Sequence, residues 1–364
     1  MVLATSMLVP SNAYALSKSD FSDFPNDWST PALTNAVENG LLVGANGKIN
    51  GSSFITRAEI SAIINRAFGA KKTTSISNYN DVPSNAWYHN DMAKAVHMGT
   101  FVGSGGYLNP EDQITREEVF SVIARAFLLD STDTSQLSKF NDGSNVSDWA
   151  KSSVAALVEK GYINGYNGNI NPKSNITRAE FAQIMYMVAG SYISSSGEYS
   201  NNIRGNLVVS SDNVVLKNAT IEGDLIIADG VDTGKIDLNS ISVKGRIVIR
   251  GGSNINITGK TTTGDVIVQN KNSDTEINVD KDSSVGNILY KTETKITGEG
   301  KKGTITNQTG NIEKEEAPVT DKPSKPSGGG SSGGGGSSPT YQHIQFLIGR
   351  NLNLLQKMQK VVTL

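Results

Sequence analysis

Three arginines stand at the same place in three near-identical pentapeptides, where a positive charge is chemically unusual. Each follows Ile-Thr and precedes a glutamate by two positions; they are Arg57, Arg116 and Arg178. Thr and Glu at this spacing form a capping box, so each arginine falls in the first turn of a helix. A cation there is unfavourable, because a helix N-terminus already carries partial positive charge. An anion held by the arginine and by free backbone N–H groups would compensate, and a carboxylate or phosphate is the natural candidate.

Internal pairing is the alternative for these arginines. Each would then form an ion pair with an Asp or Glu of its own repeat or of the next one. Because a local conflict that recurs tends to mark function, the pattern favours a ligand.

Two further residue types recur at fixed distances ahead of the arginines. An aromatic-x-Asp opening supplies Asp23, Asp81 and Asp142, and a tryptophan soon after it supplies Trp28, Trp87 and Trp149. The aspartates can accept hydrogen bonds from sugar hydroxyls, although such a residue more often caps a turn. The tryptophans can stack on sugar rings, although a tryptophan at a helix start more often fills the core.

The elements that carry these residues form a unit of about sixty residues, which reads as helix, loop, helix. A Gly-x-x-x-Gly step follows the first helix, and its first glycine, such as Gly40, is placed to end that helix. Behind each capping box, apolar residues recur at helical spacing, as in Ile60, Ile63, Ile64 and Ala67. These stripes predict core rather than ligand surface.

The opening, the tryptophan, the glycine step and Ile-Thr-Arg-Ala-Glu together resemble the S-layer homology domain family. Three tandem domains are expected at 21–74, 79–135 and 140–195. The resemblance implies a mostly helical, pseudo-threefold unit whose grooves between repeats bind secondary cell-wall polysaccharide, often carrying ketal-linked pyruvate, or in some bacteria peptidoglycan. It assigns Arg57, Arg116 and Arg178 to the pyruvate carboxylate. In the second repeat Glu117 replaces the alanine of the other two, and its negative charge weakens the case for an anion in that groove.

From 200 to 310 the composition changes to Val, Ile, Asn, Asp, Gly and Thr. Short β-runs follow glycines at intervals of 18, 22, 19 and 22 residues: Gly205, Gly223, Gly245, Gly264 and Gly286. Two short strands per coil of about twenty residues predict a parallel β-solenoid, with a β-sandwich as the alternative. The fold class is therefore multidomain, a mostly α repeat domain followed by an all-β solenoid.

The solenoid is interpreted as a spacer or display module and the protein as a non-enzyme. Asp224 and Asp265 follow glycines at equivalent places, and paired carboxylates can hydrolyse polysaccharides. However, the region has no His, Trp or Phe, and Tyr290 is its one aromatic residue. A wall-anchored polysaccharide-active enzyme and a surface-layer subunit that self-associates are the alternatives.

The bulk composition narrows the partners. The 33 basic and 35 acidic residues nearly cancel, so neither nucleic acid nor an anionic membrane is expected as a partner. There is no cysteine, and the 3 histidines lack metal-ligand spacing, so no metal or cofactor is expected. No stretch reaches the roughly 18 apolar residues of a membrane span.

The two ends complete the expected organisation. Residues 1–15 resemble a signal-peptide remnant, which with the repeats predicts a secreted protein at the cell wall or surface. Residues 311–339 form a Pro/Gly/Ser linker. Residues 340–364 are either an amphipathic helix for a partner or membrane surface, or the remnant of a truncated larger domain.

Overall fold

The computed structural model describes residues 16–310; the segments interpreted as signal peptide, linker and tail lie outside them. The described N-terminal part contains two helices per repeat, with the bounds α1 Thr30–Glu38, α2 Arg57–Phe68, α3 His89–Met98, α4 Arg116–Ala126, α5 Asp148–Glu159 and α6 Arg178–Val188. The three capping boxes form as predicted. Gly40 has φ +66° just beyond α1, the left-handed conformation that ends a helix.

The three repeats close into a ring, which confirms the pseudo-threefold arrangement. The second helix of each repeat packs on the first helix of the next: α2 on α3, α4 on α5, and α6 on α1. At the centre, Ile55 N–H donates to Ile176 O at 3.1 Å, Ile114 N–H to Ile55 O at 3.2 Å, and Ile176 N–H to Ile114 O at 3.1 Å. All three isoleucines have no exposed surface, so they join the repeats in one apolar core.

The second glycine of each glycine step makes room for the aromatic residue that opens the repeat. A Cβ on Gly103 would lie 2.2 Å from the Tyr79 ring, and one on Gly44 would lie 2.5 Å from the Phe21 ring. Contacts this short are not tolerated, so the glycine and the aromatic opening form one packing unit in every repeat.

The chain then forms a stack of coils built from three parallel sheets, in which each strand pairs with its counterpart in the neighbouring coil. The first sheet holds β1 Ser191–Ile193, β3 Leu207–Val209, β6 Leu225–Ile227, β9 Ile247–Ile249, β12 Val266–Val268, β15 Ile288–Tyr290 and β18 Ile305–Asn307. The second holds β2 Gly197–Tyr199, β4 Val214–Lys217, β7 Lys235–Asn239, β10 Asn254–Thr258, β13 Thr275–Val279 and β16 Thr294–Thr297. The third holds β5 Thr220–Ile221, β8 Ser242–Val243, β11 Thr262–Thr263, β14 Ser284–Val285 and β17 Lys301–Lys302.

The predicted solenoid is confirmed, with two corrections. A full coil has three strands rather than two, because the third sheet uses two-residue strands that leave no apolar run in the sequence. The solenoid also begins at Ser191, inside the range expected for the third repeat, since β1 pairs with β3.

The glycines that lead the coils stack on one another as the intervals predict. Gly223 N–H donates to Gly205 O at 2.9 Å, and Gly245 N–H donates to Gly223 O at 3.0 Å. A Cβ on Gly245 would meet the side chain of Asp224 at 2.3 Å, so the close approach of neighbouring coils requires glycine here.

One face of the solenoid docks on the C-terminal ends of the helices. Outward-facing Val208, Ile226 and Val248 are completely buried and join the core of the helical domain. The two halves of the described chain therefore share apolar surface.

Two arginines complete this docking. Arg250, 2% exposed, pairs with Asp229 at 2.8 Å and donates through Nη2 to Met98 O, the last carbonyl of α3, at 2.8 Å. Arg246 pairs with Asp224 at 2.7 Å and donates through Nη1 to Leu128 O, just beyond α4, at 2.8 Å. Cations belong at helix C-termini, where the carbonyl groups lack helical partners.

Candidate functional site

The three arginines of the capping boxes link each repeat to the next one. Arg57 Nη1 lies 3.0 Å from Glu118 Oε1, and Arg116 Nη1 lies 3.0 Å from Glu180 Oε1. Arg178 pairs with Glu59 and so closes the ring. These are the inter-repeat ion pairs that the sequence left open as the alternative to a ligand.

Each glutamate serves two repeats at once, because its two carboxylate oxygens have different partners. Glu118 Oε2 accepts from Thr115 N–H at 2.8 Å, within its own capping box, while Oε1 receives Arg57. Glu180 divides its oxygens in the same way between Thr177 N–H at 2.9 Å and Arg116. The capping boxes therefore cap helices and join repeats.

The backbone N–H groups of the first helical turns are not free to hold an anion. Arg57 N–H donates to Asp112 O at 3.0 Å, and Ala58 N–H donates to Pro110 O at 2.8 Å. The loop of the next repeat supplies both carbonyl groups, and the same pattern recurs at α4 and α6. What remains of the anion prediction rests on the guanidinium groups alone.

The threefold pattern of arginine contacts breaks at Arg178. Arg57 Nε donates to Leu108 O and Arg116 Nε donates to Ile170 O, both at 2.8 Å. Arg178 Nε is buried and has no hydrogen-bond partner among the described residues. A buried donor without an acceptor is unfavourable, and neither Arg57 nor Arg116 has this feature at its Nε.

Burial affects the pKa of the arginines in this ring of ion pairs but leaves them charged. The side chains of Arg57 and Arg116 are only 12% and 17% exposed. Burial lowers the pKa of both guanidinium groups, and the negative charges of Glu118 and Glu180 oppose this shift. An arginine remains protonated at physiological pH even so, and the ring keeps its charge.

The three aspartates of the repeat openings fix a turn in the backbone. Asp81 Oδ1 accepts from Leu108 N–H at 3.0 Å, and Oδ2 accepts from Asn109 N–H at 2.6 Å. Asp23 and Asp142 hold the corresponding pairs of N–H groups. The second donor of each pair is an asparagine with positive φ, +50° at Asn109, so the carboxylate stabilises a strained turn.

The three tryptophans have different surroundings. Trp28 and Trp149 are half-buried and pack against the helical core. Trp87 is 64% exposed and contacts Tyr88 edge-on, with ring centroids 5.5 Å apart. Only the second tryptophan therefore presents a broad aromatic surface to solvent.

Arg178 and Trp87 meet at one groove between the first and second repeats, which we call groove 1. Its volume is about 370 Å³, and its walls include Phe54, Glu59 and Glu111 besides those two residues. Phe54 is 50% exposed, so two aromatic side chains face solvent beside a buried cation. The structure thus brings together one predicted arginine and one predicted tryptophan, from different repeats.

Neither Phe54 nor Glu111 was predicted from the sequence as a site residue, although the residue type at position 54 is unusual among the three repeats. The other two repeats have Gln113 and Asn175 at its position, so an aromatic residue there departs from a polar pattern.

The solenoid aspartates support stacking between coils. Asp224 Oδ1 accepts from Arg246 N–H at 2.7 Å, and Asp265 Oδ1 accepts from Asn287 N–H at 2.8 Å. A second concavity, of about 360 Å³, has Thr220, Ser242 and Lys260 in its lining and contains neither aspartate.

Two possible kinds of site can be judged directly within residues 16–310. None of the helices there is long and apolar enough to cross a bilayer. The same residues contain no group of three or more His, Asp or Glu side chains placed to hold a metal ion.

Comparison with known proteins agrees with the repeat organisation. Residues 20–60, 78–120 and 139–182 match the S-layer homology domain family. A surface-layer 125 kDa protein of Lysinibacillus sphaericus is 35% identical over 188 residues, which is 50% of this chain and 16% of that protein. Exoglucanase XynX of Acetivibrio thermocellus is 33% identical over 171 residues, 46% of this chain and 16% of the enzyme.

A cellulosome-anchoring protein of Acetivibrio thermocellus is 29% identical over 140 residues, 35% of this chain and 30% of that protein. The chain thus covers less than a third of the length of each of these relatives. The family match and the surface-layer relatives indicate a secreted protein at the cell wall or cell surface, as the sequence predicts.

Proposed function

We propose that this chain binds secondary cell-wall polysaccharide through groove 1. Its three repeats match the S-layer homology domain, a module that anchors surface proteins to the cell wall. The ligand is a polymer that bears carboxylate groups, with ketal-linked pyruvate as the leading candidate and peptidoglycan as the alternative polymer. The three repeats have the binding role, and the solenoid acts as a rigid spacer or display module.

The observation that carries this proposal is that Arg178, which lines a groove with exposed aromatic walls, has a buried Nε without a hydrogen-bond partner among the described residues. A rotation of the Arg178 side chain that turns Nε towards the groove would let a ligand carboxylate accept from it, which would remove the penalty of a buried donor without a partner. A hydrogen bond to a charged group contributes about 1.5–3 kcal/mol. Trp87 and Phe54 offer flat apolar faces on which a sugar ring can stack.

The placement of the solenoid leaves groove 1 open to a polymer. Groove 1 is formed at the N-terminal ends of α2 and α3, by Glu59 and Trp87 among others. The solenoid docks at the opposite ends of the same helices, where Arg250 contacts Met98 and Phe68. A cargo carried by the solenoid is thereby held away from the wall-binding end.

Sedimentation with purified cell-wall sacculi tests the proposal through two matched pairs of variants. Trp87→Ala removes an aromatic residue from groove 1, whereas Tyr107→Ala removes one that is 48% exposed and lies outside it. Arg178→Lys deletes the free Nε donor, whereas Arg57→Lys deletes an Nε that is already bonded within the protein. We expect about tenfold weaker binding for the first member of each pair, as the loss of about 1.4 kcal/mol implies. Equal effects within both pairs would contradict a ligand in groove 1.

A further inference from the structure

The counterpart of groove 1 between the second and third repeats differs from it at two facing positions, besides having Gln113 in place of Phe54. We call it groove 2. Glu117 stands where groove 1 has Ala58, and Lys173 stands where groove 1 has Glu111. A carboxylate side chain therefore replaces a methyl group, and the charge on the opposite wall is reversed.

Glu117 is held firmly across this groove. It is only 3% exposed. Its Oε2 accepts from Ser147 N–H at 3.0 Å, and its Oε1 accepts from Ser147 Oγ at 2.9 Å and from Lys173 Nζ at 2.6 Å. Lys173 Nζ also contacts Ser147 Oγ. Ser147 precedes the first turn of α5, so the carboxylate lies against the positive end of that helix.

We propose that Glu117 and Lys173 form a clasp that closes groove 2 and confines anionic wall polymer to the grooves without it. This inference rests on the proposed function of groove 1 and specifies which copies of the site are used. The clasp acts sterically, because Glu117 is a larger side chain than the alanine at the same position of the first and third repeats. It also acts electrostatically, because Glu117 pairs with Lys173 and so keeps that cation from a ligand carboxylate.

The cation of the clasp is not available to attract a ligand carboxylate. Lys173 is already paired with Glu117, and its side chain is 56% exposed, so water screens the charge that remains. The arginine of groove 2 is Arg57, whose Nε is bonded to Leu108 O. Groove 2 thus lacks both the space and the free donor of groove 1.

Exchanging the two pairs between the grooves tests the clasp. The double variant Glu117→Ala/Lys173→Glu gives groove 2 the residues that groove 1 has at these two positions, and Ala58→Glu/Glu111→Lys places the clasp in groove 1. Isothermal titration of the full chain uses a pyruvylated oligosaccharide released from wall polymer, with the same oligosaccharide after removal of the ketal as its control. Circular dichroism and thermal unfolding establish that each variant is folded.

Removal of the clasp from groove 2 should add one site that is weaker than groove 1, because Arg57 Nε remains bonded to Leu108 O. We expect the number of bound oligosaccharides to fall by one when the clasp is placed in groove 1. The second variant leaves Ser147 and α5 untouched, so it remains informative if the first does not fold. An unchanged number of sites in either folded variant overturns the clasp. Failure of the unaltered chain to bind the pyruvylated probe overturns the proposed function itself, which separates the two failures.

Discussion

Replacement of Asp229 by alanine should destabilise the whole described chain, because it leaves the charge of Arg250 buried without its partner. The two side chains are 4% and 2% exposed and lie 2.8 Å apart. Breaking a buried ion pair by removal of one member costs about 3–5 kcal/mol. In urea, with a slope of about 3 kcal/mol per molar, a loss of about 4 kcal/mol lowers the unfolding midpoint by about 1.3 M.

The position of this pair makes the prediction a test of domain docking. Arg250 joins the solenoid to the helical domain through Met98 O and the ring of Phe68. All 3 tryptophans precede the solenoid, so their fluorescence follows the helical domain, while hydrogen exchange of β9 and β12 follows the solenoid. If docking couples the two, Asp229→Ala lowers the stability reported by both probes.

The control is an exposed ion pair of the solenoid. Glu276 and Lys295 are 38% and 70% exposed, and such pairs contribute about 0.2–1 kcal/mol. Glu276→Ala should therefore shift the midpoint only slightly. The double variant Asp229→Ala/Arg250→Met should recover much of the lost stability, because it removes the stranded charge. An Asp229→Ala shift no larger than that of Glu276→Ala would refute the reasoning.

Three further predictions concern the repeat architecture and use urea unfolding. Gly103→Ala should lower the free energy of unfolding by about 1–3 kcal/mol, because the new Cβ would lie 2.2 Å from the Tyr79 ring. The control is Gly105→Ala, at a positive φ in open space, and a loss for Gly103→Ala no larger than for this control would contradict the packing role. Thr177→Ala should cost about 1 kcal/mol through loss of the helix cap, and unchanged stability would show that this cap is unimportant. Asp81→Ala should lower stability by about 1–3 kcal/mol, and a loss of wall binding at full stability would instead make Asp81 a sugar ligand.

The repeat architecture was predictable because its signals are local. A capping box needs only residues three apart, and the ring of isoleucines follows once three such boxes meet at one axis. The leading glycines of the solenoid, such as Gly223 and Gly245, give its register in the same way, since each coil repeats the position of the one before it.

The pairing of the arginines was not predictable from these signals. Glu118 has an evident role in its own capping box, which accounts for the residue without revealing that its second oxygen is free. Whether Arg57 can reach that oxygen depends on how the next repeat is placed, and sequence spacing does not contain this information. The break in symmetry at Arg178 is a matter of side-chain geometry and lies further still from the sequence.

The docking of the solenoid had a signal that could have been interpreted. Each of β3, β6 and β9 is apolar at all three positions, a pattern typical of strands buried on both faces. The pattern does not say what covers the outer face of these strands. That the helical domain covers it becomes clear only from the structure, in which Arg246 and Arg250 reach carbonyl groups at the C-terminal ends of its helices.

The most direct test of wall anchoring is sedimentation of the chain with sacculi before and after chemical removal of the secondary polysaccharide. We expect the chain to bind native sacculi and to lose this binding when the polymer is removed. The released polymer, added to native sacculi, should compete for the chain and lower its binding to them. The same binding to stripped sacculi would contradict the polysaccharide as the ligand, and would point to peptidoglycan in its place.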